Sequence, residues 1–180
     1  MLPSIRLQPS RRPTSRQYMH RGEQEVLLAL VESIDPVIMV EIGVNIGLTA
    51  QAVLANVRTI ERYQGIDVDA AYQFEIPAQR IERPAEPGRL VKDDPRFQLL
   101  LRGGKMPKYC DVVFIDGDHG HNAVMEDSLW AAEIVKPGGM IIWHDYGNPT
   151  VQVTEVLDAL ADEGRKLHHL ANTWLVFERR

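Results

Sequence analysis

Met39-Val40-Glu41-Ile42-Gly43-Val44-Asn45-Ile46-Gly47-Leu48-Thr49 is the stretch that decides the fold. The apolar run Val37–Val40 leads into Glu41, then two glycines, then a segment whose apolar residues fall at helical spacing. That order reads as a strand, a tight turn and a helix start. Glycine lacks a Cβ, so such a turn can take backbone angles closed to other residues and let a ligand approach the main chain. A turn built for phosphate presents free N–H groups and positive charge. A carboxylate at Glu41 would repel phosphate and suits a cationic ligand.

Outward from this turn, apolar periodicity organises the chain. Upstream, residues 23–33 form a helical pattern with Val26, Leu27, Leu30, Val31 and Ile34 on one face, broken by Asp35-Pro36 before a strand at 37–42. Downstream come a helix at 48–57, a strand at 62–67, a short helix near 70–81 and a strand at 97–101. Pro77, Pro84, Pro87 and Pro95 forbid a long helix between the last two strands. Asp111–Ile115 reads as a strand whose unbroken apolar run, Val112–Ile115, fits a strand covered on both faces. A helix at 123–135 is stopped by Pro137-Gly138-Gly139, and a strand follows at 140–143. Asn148-Pro149-Thr150 reads as the cap of a helix at about 150–163, ended by Gly164. Strands at 166–170 and 173–178 close the chain. Only Ala171-Asn172 separates them, which permits a hairpin and not a parallel crossover.

Alternating strands and helices specify an α/β protein: a three-layer, doubly wound, mostly parallel sheet with an antiparallel edge strand. Its 180 residues suit a single domain over residues 23–180 that needs no disulfide or structural metal. Residues 1–22 read as a flexible basic arm. They hold Arg6, Arg11, Arg12, Arg16 and Arg21 and no acid, so with a net charge of −5 on the whole chain the body carries about −10. So acidic a body disfavours wrapping a polyanion, and an arm that embraces a second subunit of a homo-oligomer is the favoured reading over one that binds nucleic acid. No apolar run reaches membrane-spanning length and no signal-peptide core is present, so a cytoplasmic protein is expected. The single cysteine, Cys110, reads as a buried, inert thiol.

In open sheets of this class, ligands bind beyond the carboxyl ends of the strands. The polar residues there are Glu41 with the glycine turn, Asp67 and Asp69, Arg102 with Gly103, Asp116 through His121, and His144-Asp145. Together these motifs resemble a known family. Val40–Thr49 looks like the first motif of class I S-adenosylmethionine-dependent methyltransferases, and Gly65-Ile66-Asp67-Val68-Asp69 like the motif after their second strand. Phe114-Ile115-Asp116-Gly117-Asp118-His119, with Pro137-Gly138-Gly139 before Trp143-His144-Asp145-Tyr146, is similar to the small-molecule O-methyltransferase branch. That branch holds catechol O-methyltransferase-like enzymes and the macrolide-sugar and cephalosporin-related methyltransferases.

The resemblance implies a Rossmann-like methyltransferase that moves a methyl from S-adenosylmethionine to a hydroxyl oxygen of a small molecule or sugar. Glu41 would face the cofactor's amino group through water, Gly43 and Gly47 would make room for its methionine part, and Asp67 or Asp69 would bind its ribose. Asn45, Gly103 and Asp116 complete the implied cofactor-binding set. The family's metal-ligand positions fall on Asp116, His144 and Asp145. His144 departs from the family's all-oxygen pattern: Mg²⁺ prefers oxygen ligands, and an imidazole shifts preference toward Mn²⁺ and its neighbours. Catechol-type enzymes carry a lysine three residues after the first acid, and this chain has His119 there. Histidine titrates near neutrality, so His119 is the expected base, His144 the alternative, and Asp116 the third catalytic residue. Tyr146 and Trp143 could wall an acceptor pocket, although Trp143, ending an apolar strand, reads as core. His121 caps a helix, His168 and His169 sit in an edge strand, and His20 belongs to the arm.

A dehydrogenase shares the glycine pattern, but Asn45 stands where its middle glycine would admit a pyrophosphate. Two other readings stay open: a non-catalytic cofactor-binding or assembly protein of the same fold, and an RNA methyltransferase using the arm.

Overall fold

The computed structural model describes residues 19, 21–82, 86–104 and 107–180. The proposed arm at 1–22 and His20 lie almost wholly outside the described residues. Seven strands form one sheet: β1 (Ile38–Ile42), β2 (Arg62–Asp67), β3 (Phe97–Leu101), β4 (Cys110–Ile115), β5 (Val135–Trp143), β6 (His168–His169) and β7 (Val176–Arg179). Their order is β3-β2-β1-β4-β5-β7-β6. The first five are parallel; β7 runs antiparallel to β5 and to β6. Strand order reverses between β1 and β4, the position where an open sheet forms its crevice.

Alternation along the central strands explains the three layers. Ile38, Val40 and Ile42 of β1, Val113 and Ile115 of β4 and Ile141 and Trp143 of β5 point to one face, where α3 (His121–Ile134) and α4 (Val153–Asp162) cover them. The intervening Met39, Val112, Phe114, Met140 and Ile142 point to the other, against α1 (Arg21–Glu32) and α2 (Leu48–Asn56). A strand covered on both sides has no polar register, hence the unbroken apolar runs. Trp143 is core, its Nε1–H donating to Ser128 Oγ at 2.9 Å. Cys110 is buried, and desolvation pushes its thiol up to about 12, as an inert thiol requires.

Four boundaries differ from the sequence reading. In place of a helix over 70–81 there is only a 3-10 helix, Pro77–Glu82. β5 begins at Val135 and runs through Pro137-Gly138-Gly139: those residues end α3, yet the Gly138 N–H donates to Arg180 O at 2.7 Å and the Arg180 N–H to Gly139 O at 3.0 Å, so the ladder continues. α4 begins at Val153 because Asn148 closes a turn of its own, accepting the Thr150 N–H and hydroxyl at 3.1 and 2.8 Å. The closing hairpin is shorter in strand and longer in loop than expected. β7 inserts beside β5, leaving two-residue β6 at the edge, with His168 and His169 exposed.

Candidate active site

The carboxyl ends of β1, β2, β4 and β5 bring the expected polar residues to one side of the sheet. In the β1–α2 turn, Gly43 and Gly47 take φ of 88° and 92°, and Asn45 is also left-handed at 49°. A side chain at Gly43 would place its Cβ 2.1 Å from the Asp116 carbonyl oxygen, so the glycine turn lies directly on the end of β4. Gly47 faces Val91 and Gly88 in the same way, at 3.1 and 3.3 Å. Asp67 fastens the turn from β2: its carboxylate accepts the Asn45 N–H at 2.8 Å and the Val68 N–H at 2.7 Å. Asp69 is exposed and accepts the Ala71 N–H at 2.8 Å. Gly103 is exposed beyond β3, with nothing within 4 Å of where a Cβ would stand.

Glu41 is placed differently from the sequence reading. It is 1% exposed, turned into the α1–α2 layer, and accepts the Tyr63 hydroxyl at 2.8 Å. Burial holds its carboxyl well above the ordinary 4.5, although the Tyr63 hydrogen bond pulls the other way. Tyr63 is raised too, by its own burial and by Glu41. With the carboxyl buried on Tyr63, the contact with a cofactor amino group that the resemblance implies would run through water.

At the ends of β4 and β5 stands a cluster of opposite character. His119 Nε2 lies 3.3 Å from Asp116 Oδ1 and 3.1 Å from Asp145 Oδ2. His144 Nδ1 lies 3.3 and 3.4 Å from the same two oxygens. Burial opposes the charge on Asp116, but His144 and His119 outweigh it and hold the carboxyl far below its usual range. Asp145 is lowered on the same balance, burial against His144. Burial disfavours both imidazolium forms, yet the carboxylates raise His119 and raise His144 well above 6.5. Asp116, His144 and Asp145 each offer an atom within 4.8 Å of the others, close enough for one cation. His144 is 7% exposed, and neither ring nitrogen makes a well-formed hydrogen bond. A buried imidazole aimed at two carboxylates without hydrogen bonds fits an ion-ligating role.

The backbone dictates this convergence. The Asp116 N–H donates to Ile42 O and the His144 N–H to Ile115 O, so the ladder carries both residues to the sheet's end. Asp145 is left-handed at φ 65°, and Asn148 Nδ2 donates to its Oδ1 at 2.8 Å, leaving Oδ2 toward the histidines. Several contributors carried no signal in the sequence. Glu23 reaches in from α1, its Oε2 3.8 Å from His144 Nε2 and its Oε1 accepting the Trp174 N–H. Gln79 accepts the His119 N–H at 3.0 Å, donates to Gly117 O at 3.3 Å and meets His119 Nδ1. Glu75 caps α3, accepting the Ala123 N–H at 2.8 Å, and Asp118 accepts the Tyr72 hydroxyl at 3.0 Å, which with burial pushes that phenol up to about 12. His121 opens α3 and donates its N–H to Gln152 Oε1. Beside it, a shallow hollow of about 400 Å³ runs along the β5–α4 loop, with Asn148, Val151 and Gln152 in its wall. Tyr146 lies behind, donating to Asp158 at 2.8 Å.

The sequence model of a methyltransferase domain matches residues 40–146, more than half of the chain. No curated protein matches. Among solved structures, a Bacillus cereus O-methyltransferase in complex with S-adenosylhomocysteine is similar at a TM-score of 0.61 and 16% identity, covering 92% of this chain and 84% of that one. A Podospora anserina methyltransferase bound to S-adenosylhomocysteine gives 0.64 and 15%, covering 94% and 82%. The spermidine synthase of Thermotoga maritima gives 0.59 and 15%, covering 87% and 57%, so the fold by itself does not select a reaction. The chain belongs to the methyltransferase domain family.

Proposed function

We propose that this member of the methyltransferase domain family transfers a methyl group from S-adenosylmethionine to a hydroxyl oxygen of a small molecule, with a divalent ion held by Asp116, His144 and Asp145. The observation that carries the reading is adjacency: the glycine turn rests on the Asp116 backbone, so a donor on the turn and an acceptor at the Asp116–His144–Asp145 cluster would be neighbours. The turn fits the donor chemically. Residues 43–47 carry no basic side chain, and the acids gathered at the strand ends suit a sulfonium rather than a phosphate.

The cofactor would supply a methyl already activated by positive sulfur, and the ion would act as a Lewis acid on the acceptor oxygen. The protein's own work is placement. Holding donor and acceptor in line can contribute about 7–11 kcal/mol. Asp116 and Asp145 would orient the acceptor hydroxyl, whose proton, made labile by the ion, would pass to solvent. His119, the expected base, lies inside the acid–histidine cluster with Nε2 engaged to both carboxylates. Recognition of the donor would rest on Asp67, Asn45 and the turn's main chain. We place the protein in a reducing cytoplasm, on its single buried thiol. Among the described residues, no helix is long and apolar enough to cross a membrane.

The test is methyl transfer from labelled S-adenosylmethionine to a panel of catechols and vicinal diols, with Mn²⁺, with Mg²⁺ and with chelator. Product methylated on oxygen, lost on chelation, is expected. Uptake of the donor without transfer to any hydroxyl would favour a non-catalytic binding protein.

A further inference from the structure

We propose that Glu23 and Gln79 hold the two histidines of the cluster in opposite tautomers, making His144 the nitrogen ligand of a divalent transition ion and His119 a hydrogen-bond donor to its carboxylate ligands. The inference rests on the metal reading above and deepens it.

The two rings meet the same two oxygens but are backed by different groups. His144 turns Nδ1 to Asp116 Oδ1 and Asp145 Oδ2, and behind it Glu23 Oε2 stands 3.8 Å from Nε2, one short side-chain adjustment from a hydrogen bond. A carboxylate only accepts, so its field favours the neutral ring with the proton on Nε2, which offers the Nδ1 lone pair to the space between the acids. Orientation of a ligating imidazole by a carboxylate on its far nitrogen is how proteins commonly fix such a tautomer. Glu23 is itself positioned by the Trp174 N–H, which its other oxygen accepts.

His119 has the reverse arrangement. Its Nδ1 meets the amide nitrogen of Gln79, a donor. The amide's orientation is set twice over: Oε1 accepts the His119 N–H and Nε2 donates to Gly117 O. Nδ1 therefore accepts, and the ring proton sits on Nε2, directed at Asp116 and Asp145. A nitrogen that carries a hydrogen is neither a ligand nor a base. His119 is a positioning residue that braces two carboxylates, which revises its expected role as base.

Three protein donors, one of them imidazole, leave coordination positions open for an acceptor oxygen. An imidazole donor favours Mn²⁺, Fe²⁺, Co²⁺ or Zn²⁺ over Mg²⁺, which prefers an all-oxygen shell. The set is thus two carboxylates and one histidine, with Glu23 tuning the histidine from a helix outside the sheet.

The experiment is calorimetric titration of the purified full chain with Co²⁺, Mn²⁺ and Mg²⁺, with Co²⁺ visible absorption as the report on nitrogen ligation and S-adenosylhomocysteine binding measured on the same samples. The wild type is expected to bind one Co²⁺ or Mn²⁺ per chain more tightly than Mg²⁺. Glu23→Gln keeps the shape but puts a donor at His144 Nε2, and should weaken Co²⁺ by about 10–100-fold with a changed spectrum. Glu23→Asp, which restores an acceptor, should recover part of that loss and serves as the second variant if Glu23→Gln folds poorly. His119→Gln should hold Co²⁺ within a few-fold of wild type. Equal affinity in Glu23→Gln and wild type would overturn the role of Glu23. A loss in His119→Gln as large as in Glu23→Gln would make His119 a ligand and overturn the tautomer assignment. A wild type that binds S-adenosylhomocysteine but no ion would overturn the metal site and leave the methyl-donor reading standing.

Discussion

Glu41 and Asp116 end neighbouring parallel strands, both within the sheet's central third, and the protein drives them in opposite directions. Glu41 sits buried under the two helices on its side, with the hydroxyls of Tyr63 and Thr49 as its donors, and desolvation outweighs them and raises its carboxyl. Asp116 lies one loop further on among two imidazoles, and they outweigh the same desolvation. Burial alone thus does not decide the charge of a strand-end acid; the neighbours do. The β1 end holds its acid on a phenol within the helix layer, the β4–β5 end gathers acids and imidazoles, and the glycine turn lies between them.

The largest effect that would test this contrast is at the charged end. Asp116→Asn removes the carboxylate that faces both histidines and is expected to lower turnover by about 10²-fold or more, in line with loss of an acid–base group. Donor affinity should change little, which S-adenosylhomocysteine calorimetry reads directly. Parallel loss of both would place Asp116 in cofactor binding instead.

At the neutral end the effects are on stability. Tyr63→Phe removes the larger of the two hydroxyl donors to Glu41, Thr49 being the other, and should cost about 1–3 kcal/mol in denaturant unfolding, the range for a buried polar group that loses its partner. An unchanged midpoint would mean that water reaches Glu41. Glu41→Gln is the smaller and opposite change. The folded acid keeps its proton to a higher pH than the unfolded one, so its contribution is fully present below the ordinary value of 4.5 and is lost as pH rises toward the raised one. The amide cannot ionise, so the variant should melt higher at neutral pH, by about 2–4 °C for each kcal/mol recovered, with no gain at pH 4. A lower melting temperature at neutral pH would show that Glu41 is ionised and stabilising.

What the sequence made legible follows from the same division. Periodic burial wrote the strands and helices into the apolar pattern; the strand-end rule put Asp116, His144 and Asp145 among a longer set of polar residues, and the family resemblance picked out those three together. Residues 69–79 were not legible because polar contacts hold them: Tyr72 and Glu75 to Asp118, Glu75 to α3 and Gln79 to His119. None of these leaves a periodic trace. Glu23 was read as one polar residue of an amphipathic helix, and only the folded chain brings it to Trp174, 151 residues away, and to His144. The motif that marks Glu41 says nothing of the tyrosine on the next strand that hydrogen-bonds to it. Pro137-Gly138-Gly139 signalled the end of a helix correctly and could not signal that the C-terminal strand would pair with it.

The most direct measurement is titration of the purified protein with S-adenosylhomocysteine, the spent form of the donor, against wild type and a Gly47→Val variant that blocks the turn at φ 92°. Stoichiometric binding by the wild type, lost in a variant that still melts cooperatively, is expected. No binding by the folded wild type would mean that the glycine turn serves the fold alone and that no methyl donor is held there.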